Sequence, residues 1–251
     1  MIVAAGALIV GLSIGLVGIG GVFLIPILVA AGRTLEEAIG TSLLTFTVTG
    51  IVATAIYARR GGIDWRLAAY TSAGSIIGGP VGARLSVALP PAVVSSCFAA
   101  FLIVTGVSAL RRRPATSTKA SCAGPLAMSS RSLFGCGVAV GIGSGLTGVG
   151  GPALLVPMLL LLNVPASIAI GISQPNQIAA SASGAAGHLI FGHVDIRLAA
   201  ELSVAAGIGV VVGAWAHARI GAAALRRAVA TACIALGSWT IGEIVRKAEG
   251  R

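Results

Sequence analysis

The chain of 251 residues is 56% hydrophobic and only 10% charged, with a mean hydropathy of +1.00. A soluble domain carries about 25% charged residues, so an ordinary soluble enzyme is excluded and a membrane protein is expected. The net charge of +10 would suggest nucleic acid as a partner of a soluble chain. Here the basic residues stand in short clusters between apolar runs (Arg59-Arg60, Arg111-Arg112-Arg113, Arg226-Arg227, Arg246-Lys247), as in loops held at a membrane face, and no nucleic-acid partner is expected.

In chain order, charges, prolines and turn signals divide the sequence into eight apolar segments, approximately 2–31, 37–58, 66–86, 91–110, 132–162, 166–190, 196–216 and 222–245. The first lacks a basic n-region, so it reads as a retained segment rather than a cleaved signal. No charged residue lies between Arg131 and Asp195, a stretch far longer than the about 20 residues of one crossing helix. Segments 2–31 and 132–162 are over-long, and each holds a glycine stretch, Gly15-Leu16-Val17-Gly18-Ile19-Gly20-Gly21 and Gly145-Leu146-Thr147-Gly148-Val149-Gly150-Gly151. Glycine costs roughly 1 kcal/mol against alanine at each interior helix position, so both segments are expected to break there. Residues 111–131 are polar and contain proline, as in a flexible linker. The expected domains are therefore a first transmembrane repeat over 1–110 and a second over 132–251. Cys97, Cys122, Cys136 and Cys233 lack CxxC spacing, which supports neither a zinc site nor a disulfide framework.

The two halves repeat. Gly40 pairs with Gly171, Ser42 with Ser173, Asp64 with Asp195, Arg66 with Arg197, Gly78 with Gly209 and Gly82 with Gly213, all 131 positions apart. The glycine stretches align at 130. Small residues recur every fourth position (Ala7, Gly11, Gly15; Gly137, Gly141, Gly145; Gly74, Gly78, Gly82; Ala205, Gly209, Gly213), the pattern that lets helices approach closely in lipid. Two topologies fit the basic residues: eight crossings, or three crossings per half with segments one and five folded back as re-entrant hairpins, which makes the halves inverted. The short arms 1–17 and 22–32 favour the hairpins. The expected fold is thus an all-α polytopic membrane protein, two homologous repeats of four segments, the first of each broken or re-entrant at glycine.

The ordered motifs carry a resemblance. The first glycine stretch followed by Pro26, then Ala38-Ile39-Gly40-Thr41-Ser42-Leu43, Gly62-Ile63-Asp64-Trp65-Arg66 and Gly78-Gly79-Pro80-Val81-Gly82-Ala83 resembles the first half of the TauE/SafE sulfite exporter family. The second stretch, Pro157, Gly171-Ile172-Ser173, Val194-Asp195-Ile196-Arg197 and Gly209 to Ala214 resemble the second half. The resemblance implies a multi-pass transporter of the bacterial inner membrane that moves sulfite, sulfonates or related small anions. It transfers no residue roles. The repeat is broken where Ile172-Ser173-Gln174-Pro175-Asn176-Gln177 answers Thr41-Ser42-Leu43-Leu44-Thr45-Phe46. A proline and three amides are expected to interrupt that segment.

From these parts an anion site is expected at the two breaks. Helix starts carry unpaired N–H donors and partial positive charge, here beside Gly18, Gly20, Gly21, Gly148, Gly150 and Gly151, with half-helices over 21–31 and 152–162. Thr41, Ser42, Thr45, Ser173, Gln174, Asn176 and Gln177 would add neutral polar groups. The plainer reading makes the glycines packing devices and the amides an interhelical network. Asp64-Arg66 and Asp195-Arg197 read as helix caps and interface anchors, with gating or coupling as the sharper alternative. His188 is a packing residue or a proton-coupling group. Gly141-Ile142-Gly143-Ser144-Gly145 lacks the preceding strand that a nucleotide loop or a nucleophile elbow requires, so no enzyme, cofactor or metal is expected. The expected partners are a small anion and the lipid bilayer, with proton coupling and a homodimer as open options. The rival functions are a channel-like conduit and a membrane scaffold without transport.

Overall fold

Four helices start where a side chain can accept the free N–H groups of a first turn. Thr34 accepts from Glu37, Asp64 from Arg66 and Leu67, Ser129 from Arg131, and Asp195 from Leu198. The computed structural model describes residues 2–17, 21–90, 129–162, 164–191, 193–217 and 219, with scattered residues over 96–107 and 224–246. Gly18, Gly20, linker residues 111–128 and most of segments 91–110 and 222–245 lie outside the described residues.

The order is α1 (Ile2–Val17), a 3-10 turn (Gly21–Phe23), α2 (Leu24–Ala30), α3 (Leu35–Arg59), α4 (Trp65–Ala88), α5 (Ser130–Thr147), α6 (Gly151–Leu161), α7 (Ala166–Ile190) and α8 (Ile196–His217). All regular structure among the described residues is helical. Residues Leu35–Arg59 and Ile196–Ala216 are long and apolar enough to cross a membrane. One expectation is corrected: Pro175 does not interrupt its segment, and α7 runs unbroken through it. The flanking α3 and α4 both pack on α7, and such neighbours support a helix across a proline.

The chain folds back between α1 and α2 and between α5 and α6. A Cβ placed on Gly6 of α1 would stand 2.7 Å from Ile27 Cδ1 of α2, and one on Gly143 of α5 would stand 2.5 Å from Leu154 Cδ1 of α6. Along an uninterrupted helix Gly6 and Ile27 would be about 30 Å apart. The second turn uses Gly148 at φ 69° and Gly150 at φ 86°, backbone that side chains disfavour.

Contact registers give the helix directions. Gly11 faces Ala206 and Gly15 faces Val210, so α1 and α8 run parallel. Gly137 faces Thr71 and Gly141 faces Ser75, so α4 and α5 also run parallel. Along α3 and α7 the order reverses: Gly40 meets His188, Leu43 meets Gly184 and Gly50 meets Ile178. Two parallel trios therefore oppose each other, α1, α3 and α8 against α4, α5 and α7. Each trio takes two helices from one half of the chain and one from the other. The glycine ladders are the seams, because a Cβ on Gly11, Gly15, Gly209 or Gly213, or on Gly74, Gly78, Gly82, Gly137, Gly141 or Gly145, would overlap the facing backbone.

The polarity is inside out. Ile77, Ile190 and Val204 are exposed while Thr45, Ser75, Gln174, Asn176 and Gln177 are buried. Lipid tolerates such a surface where water would penalise it. Around the polar interior sit Leu24, Leu28, Leu43, Phe46, Leu155, Leu159 and Ile172.

Candidate functional site

The turns of the two hairpins meet near the middle of α3 and α7. Gly21 sits against the Val149 carbonyl and the Phe46 ring, Gly150 against the same ring, and Gly151 against Asn176. Phe46 and Asn176 occupy the twelfth and eleventh positions of these 25-residue helices. Gln177 ties the helices together, its Nε2 donating to the Phe46 carbonyl at 2.9 Å and to Thr49 Oγ1 at 3.1 Å. Phe46 and Gln177 are repeat mates, 131 positions apart, so this bond lies where the two halves exchange.

Asn176 is held by its oxygen. Ser75 Oγ lies 2.7 Å from Asn176 Oδ1 and 2.8 Å from the Gly137 carbonyl. With one proton, Ser75 serves one of these two acceptors at a time. Asn176 Nδ2 is fully buried and has no hydrogen-bond partner. A Cβ on Gly151 would stand 2.7 Å from it, so this donor faces the start of α6. No side chain caps α6, and Pro is near its first position. The N–H groups of Gly151 and Ala153 thus have no acceptor within the helix, while Pro152 has none to satisfy. Ser144 Oγ, Ser181 Oγ, Gln174 Oε1 and Gln177 Oε1 are also buried without partners. Each such group costs about 1–3 kcal/mol when left unpaired.

The other expected site residues are placed as follows. Gly148 packs on Ile39 and Ile25. Ser42 Oγ is buried without a partner. Thr45 Oγ1 donates within α3 to the Thr41 carbonyl at 3.0 Å, and Ser173 Oγ donates to the Ile170 carbonyl at 2.7 Å. Gln174 Nε2 bonds the same Ile170 carbonyl and Ser173 Oγ. Thr41 Oγ1 accepts the Asp195 N–H at 3.1 Å, so it clamps the α8 start onto α3. Asp64 and Asp195 cap α4 and α8. Asp195 also pairs with Arg33 at 3.1 Å, and Arg33 reaches Glu37 at 2.7 Å. Arg66 is exposed, and Arg197 pairs with Glu201 on the outer surface. His188 Nε2 meets the Gly145 carbonyl at 3.1 Å, and its repeat mate Tyr57 donates to the Gly15 carbonyl at 2.9 Å. The two therefore perform the same tie between a long helix and its own hairpin. Sequence reasoning missed Ser75, Ser144 and Ser181. Their repeat mates are Ala206, Ile14 and Gly50, and that loss of symmetry was the available signal.

Cavities open at both ends of the bundle. One of about 460 Å³ is lined by Tyr57, Arg60, Ile63, Asp64, Ser167 and Ile168. The other, of about 340 Å³, lies among Arg33, Asp195, Arg197, Leu198 and Glu201. Because α3 and α7 are antiparallel, the end of α3 and the start of α7 share the first, and the start of α3 and the end of α7 flank the second.

Known proteins share this sequence pattern. The chain is 30% identical to the probable membrane transporter protein YunE of Bacillus subtilis (strain 168), over 88% of this chain and 86% of that protein. It is 25% identical to the probable membrane transporter protein YdhB of the same organism, over 85% and 89%. A probable membrane transporter protein of Xylella fastidiosa (strain 9a5c) is 41% identical over 33% of each chain. No solved structure matches the chain. The profile of the family described as Sulfite exporter TauE/SafE matches residues 3–240. Carrying that profile over nearly its whole length, the chain belongs to the TauE/SafE family of sulfite exporters.

Proposed function

We propose that the protein is a secondary transporter of small anions, sulfite, sulfonates or related species, that binds its substrate where the two hairpins cross. Family membership makes it a membrane transport protein and not an enzyme. In this reading the two halves are inverted repeats of four segments in the bacterial inner membrane, and the hairpins α1–α2 and α5–α6 are re-entrant. Transporters of this construction bind near the bilayer midplane at helix starts and work by alternating access. The observation that carries the reading is the buried, unpartnered Asn176 Nδ2 standing over the uncapped first turn of α6. Together they form a donor-only cradle. The cavities at the two ends of the bundle supply approaches from either side.

Flux in proteoliposomes tests the reading. Saturation with substrate and counterflow are expected, whereas linear flux with single-channel currents would establish a conduit instead. The variant Asn176→Asp separates the site from a structural role. If Asn176 serves the anion through its amide, a carboxylate there abolishes transport by repulsion. If it only caps α6, a carboxylate is a good N-terminal partner and leaves transport intact. The re-entrant topology is checked with Ala4→Cys and Ala31→Cys in a cysteine-free background. Both exposed positions should label from the same membrane face.

A further inference from the structure

We propose that the site at the first turn of α6 accepts singly charged oxyanions, such as hydrogensulfite and monosulfonates, and rejects dianions such as sulfite and sulfate. This rests on the anion-binding reading above. The means of holding charge there are limited. The eleven-residue α6 presents its uncapped start to the fully buried Asn176 Nδ2, which has no protein partner. A helix start is equivalent to about half a positive charge. The neighbouring buried side chains Thr49, Ser75, Ser144, Gln177 and Ser181 are neutral dipoles. No Lys or Arg precedes Arg33 or falls between Arg131 and Asp195, so neither hairpin, nor α7, can carry a cation to that height.

Among the described residues, the charged groups of the packed helices stand elsewhere. Glu37 is about 14 Å along α3 from Phe46, Arg84 about 14 Å along α4 from Ser75, and His188 about 18 Å along α7 from Asn176. Arg66 and Glu201 face outward. Asp195 and Arg33 stand beside Thr41 as an ion pair at the end of the bundle. The cost of withdrawing an ion from water rises with the square of its charge. Half a charge and a set of neutral dipoles suit one negative charge and fall short of two.

The test uses the wild-type protein in liposomes and compares sulfite with methanesulfonate from about pH 6 to about pH 8, where sulfite passes from monoanion to dianion and histidine also titrates. Methanesulfonate keeps one charge throughout and so reports any titration of the protein itself. Sulfite flux is expected to follow the hydrogensulfite fraction, falling up to about tenfold per pH unit. Methanesulfonate flux should stay level, and sulfate in excess should neither enter nor compete. Sulfite flux that holds or rises with pH, or competition by sulfate, overturns charge selection while leaving an anion transporter. A parallel fall of both fluxes assigns the pH dependence to the protein and overturns it as well. No flux of either anion at any pH removes the transport reading and this inference with it.

Discussion

The two hairpins descend from one sequence pattern but end differently. In the first, the glycine stretch leads through a 3-10 turn at Gly21–Phe23 into the seven-residue α2. In the second, Gly148 and Gly150 turn the chain sharply, and the eleven-residue α6 begins at once with Pro152 in its first turn. Two residues 131 positions apart, Thr45 and Asn176, also differ in character. Thr45 returns its hydroxyl proton to its own helix, whereas Asn176 keeps a free donor. The two turns thus differ in polarity: one meets a buried donor without a partner, the other packs on the Phe46 ring.

Several substitutions would break or sharpen this contrast. The largest effect is expected at the seams that both hairpins share. Gly141→Val sets a side chain against the Ser75 backbone and should cost about 3 kcal/mol, seen as a lowered melting temperature in detergent. Gly207→Ala, with open space around it, should be neutral or stabilising by up to about 1 kcal/mol. If both melt alike, the ladder is not a seam. Next, Gly150→Ala forces alanine to φ 86° and should cost about 1–3 kcal/mol, with a matching loss of transport because the α6 start moves.

A functional difference follows at the repeat mates. Asn176→Ala removes one donor to an anion, worth about 1.5–3 kcal/mol, and should raise the half-saturating concentration about tenfold or more. Thr45→Ala should leave it nearly unchanged, and an equal loss from both would erase the asymmetry. The smallest effect is expected at Arg33→Ala. The guanidinium is 38% exposed on its side chain, so its pairs with Glu37 and Asp195 should contribute less than about 1 kcal/mol and weaken further with salt.

Much of this was legible in the residues. Asp64 and Asp195 were readable as helix caps because a carboxylate before an apolar run has a local partner in the next turn. The spacing of Gly11, Gly15, Gly209 and Gly213 announced close helix contacts, since a four-residue period marks one face. The role of Thr41 was not legible. Its hydroxyl was expected at the anion site, yet it receives the Asp195 N–H, a contact between residues that no local pattern relates. Gln174 was likewise expected to aid binding and instead spends its amide hydrogens inside α7.

By itself, the sequence determined the membrane class, the breaks in the two over-long segments and the starts of the capped helices, because hydropathy, spacing and capping act within a turn or two of chain. Only the tertiary structure decided that each break is a hairpin, that α3 and α7 oppose each other, and that each half lends a helix to the other's trio. A glycine stretch permits kink and reversal alike, and a helical period reads the same in both directions. The choice falls to long-range packing, which also determines which buried donor is left without a partner.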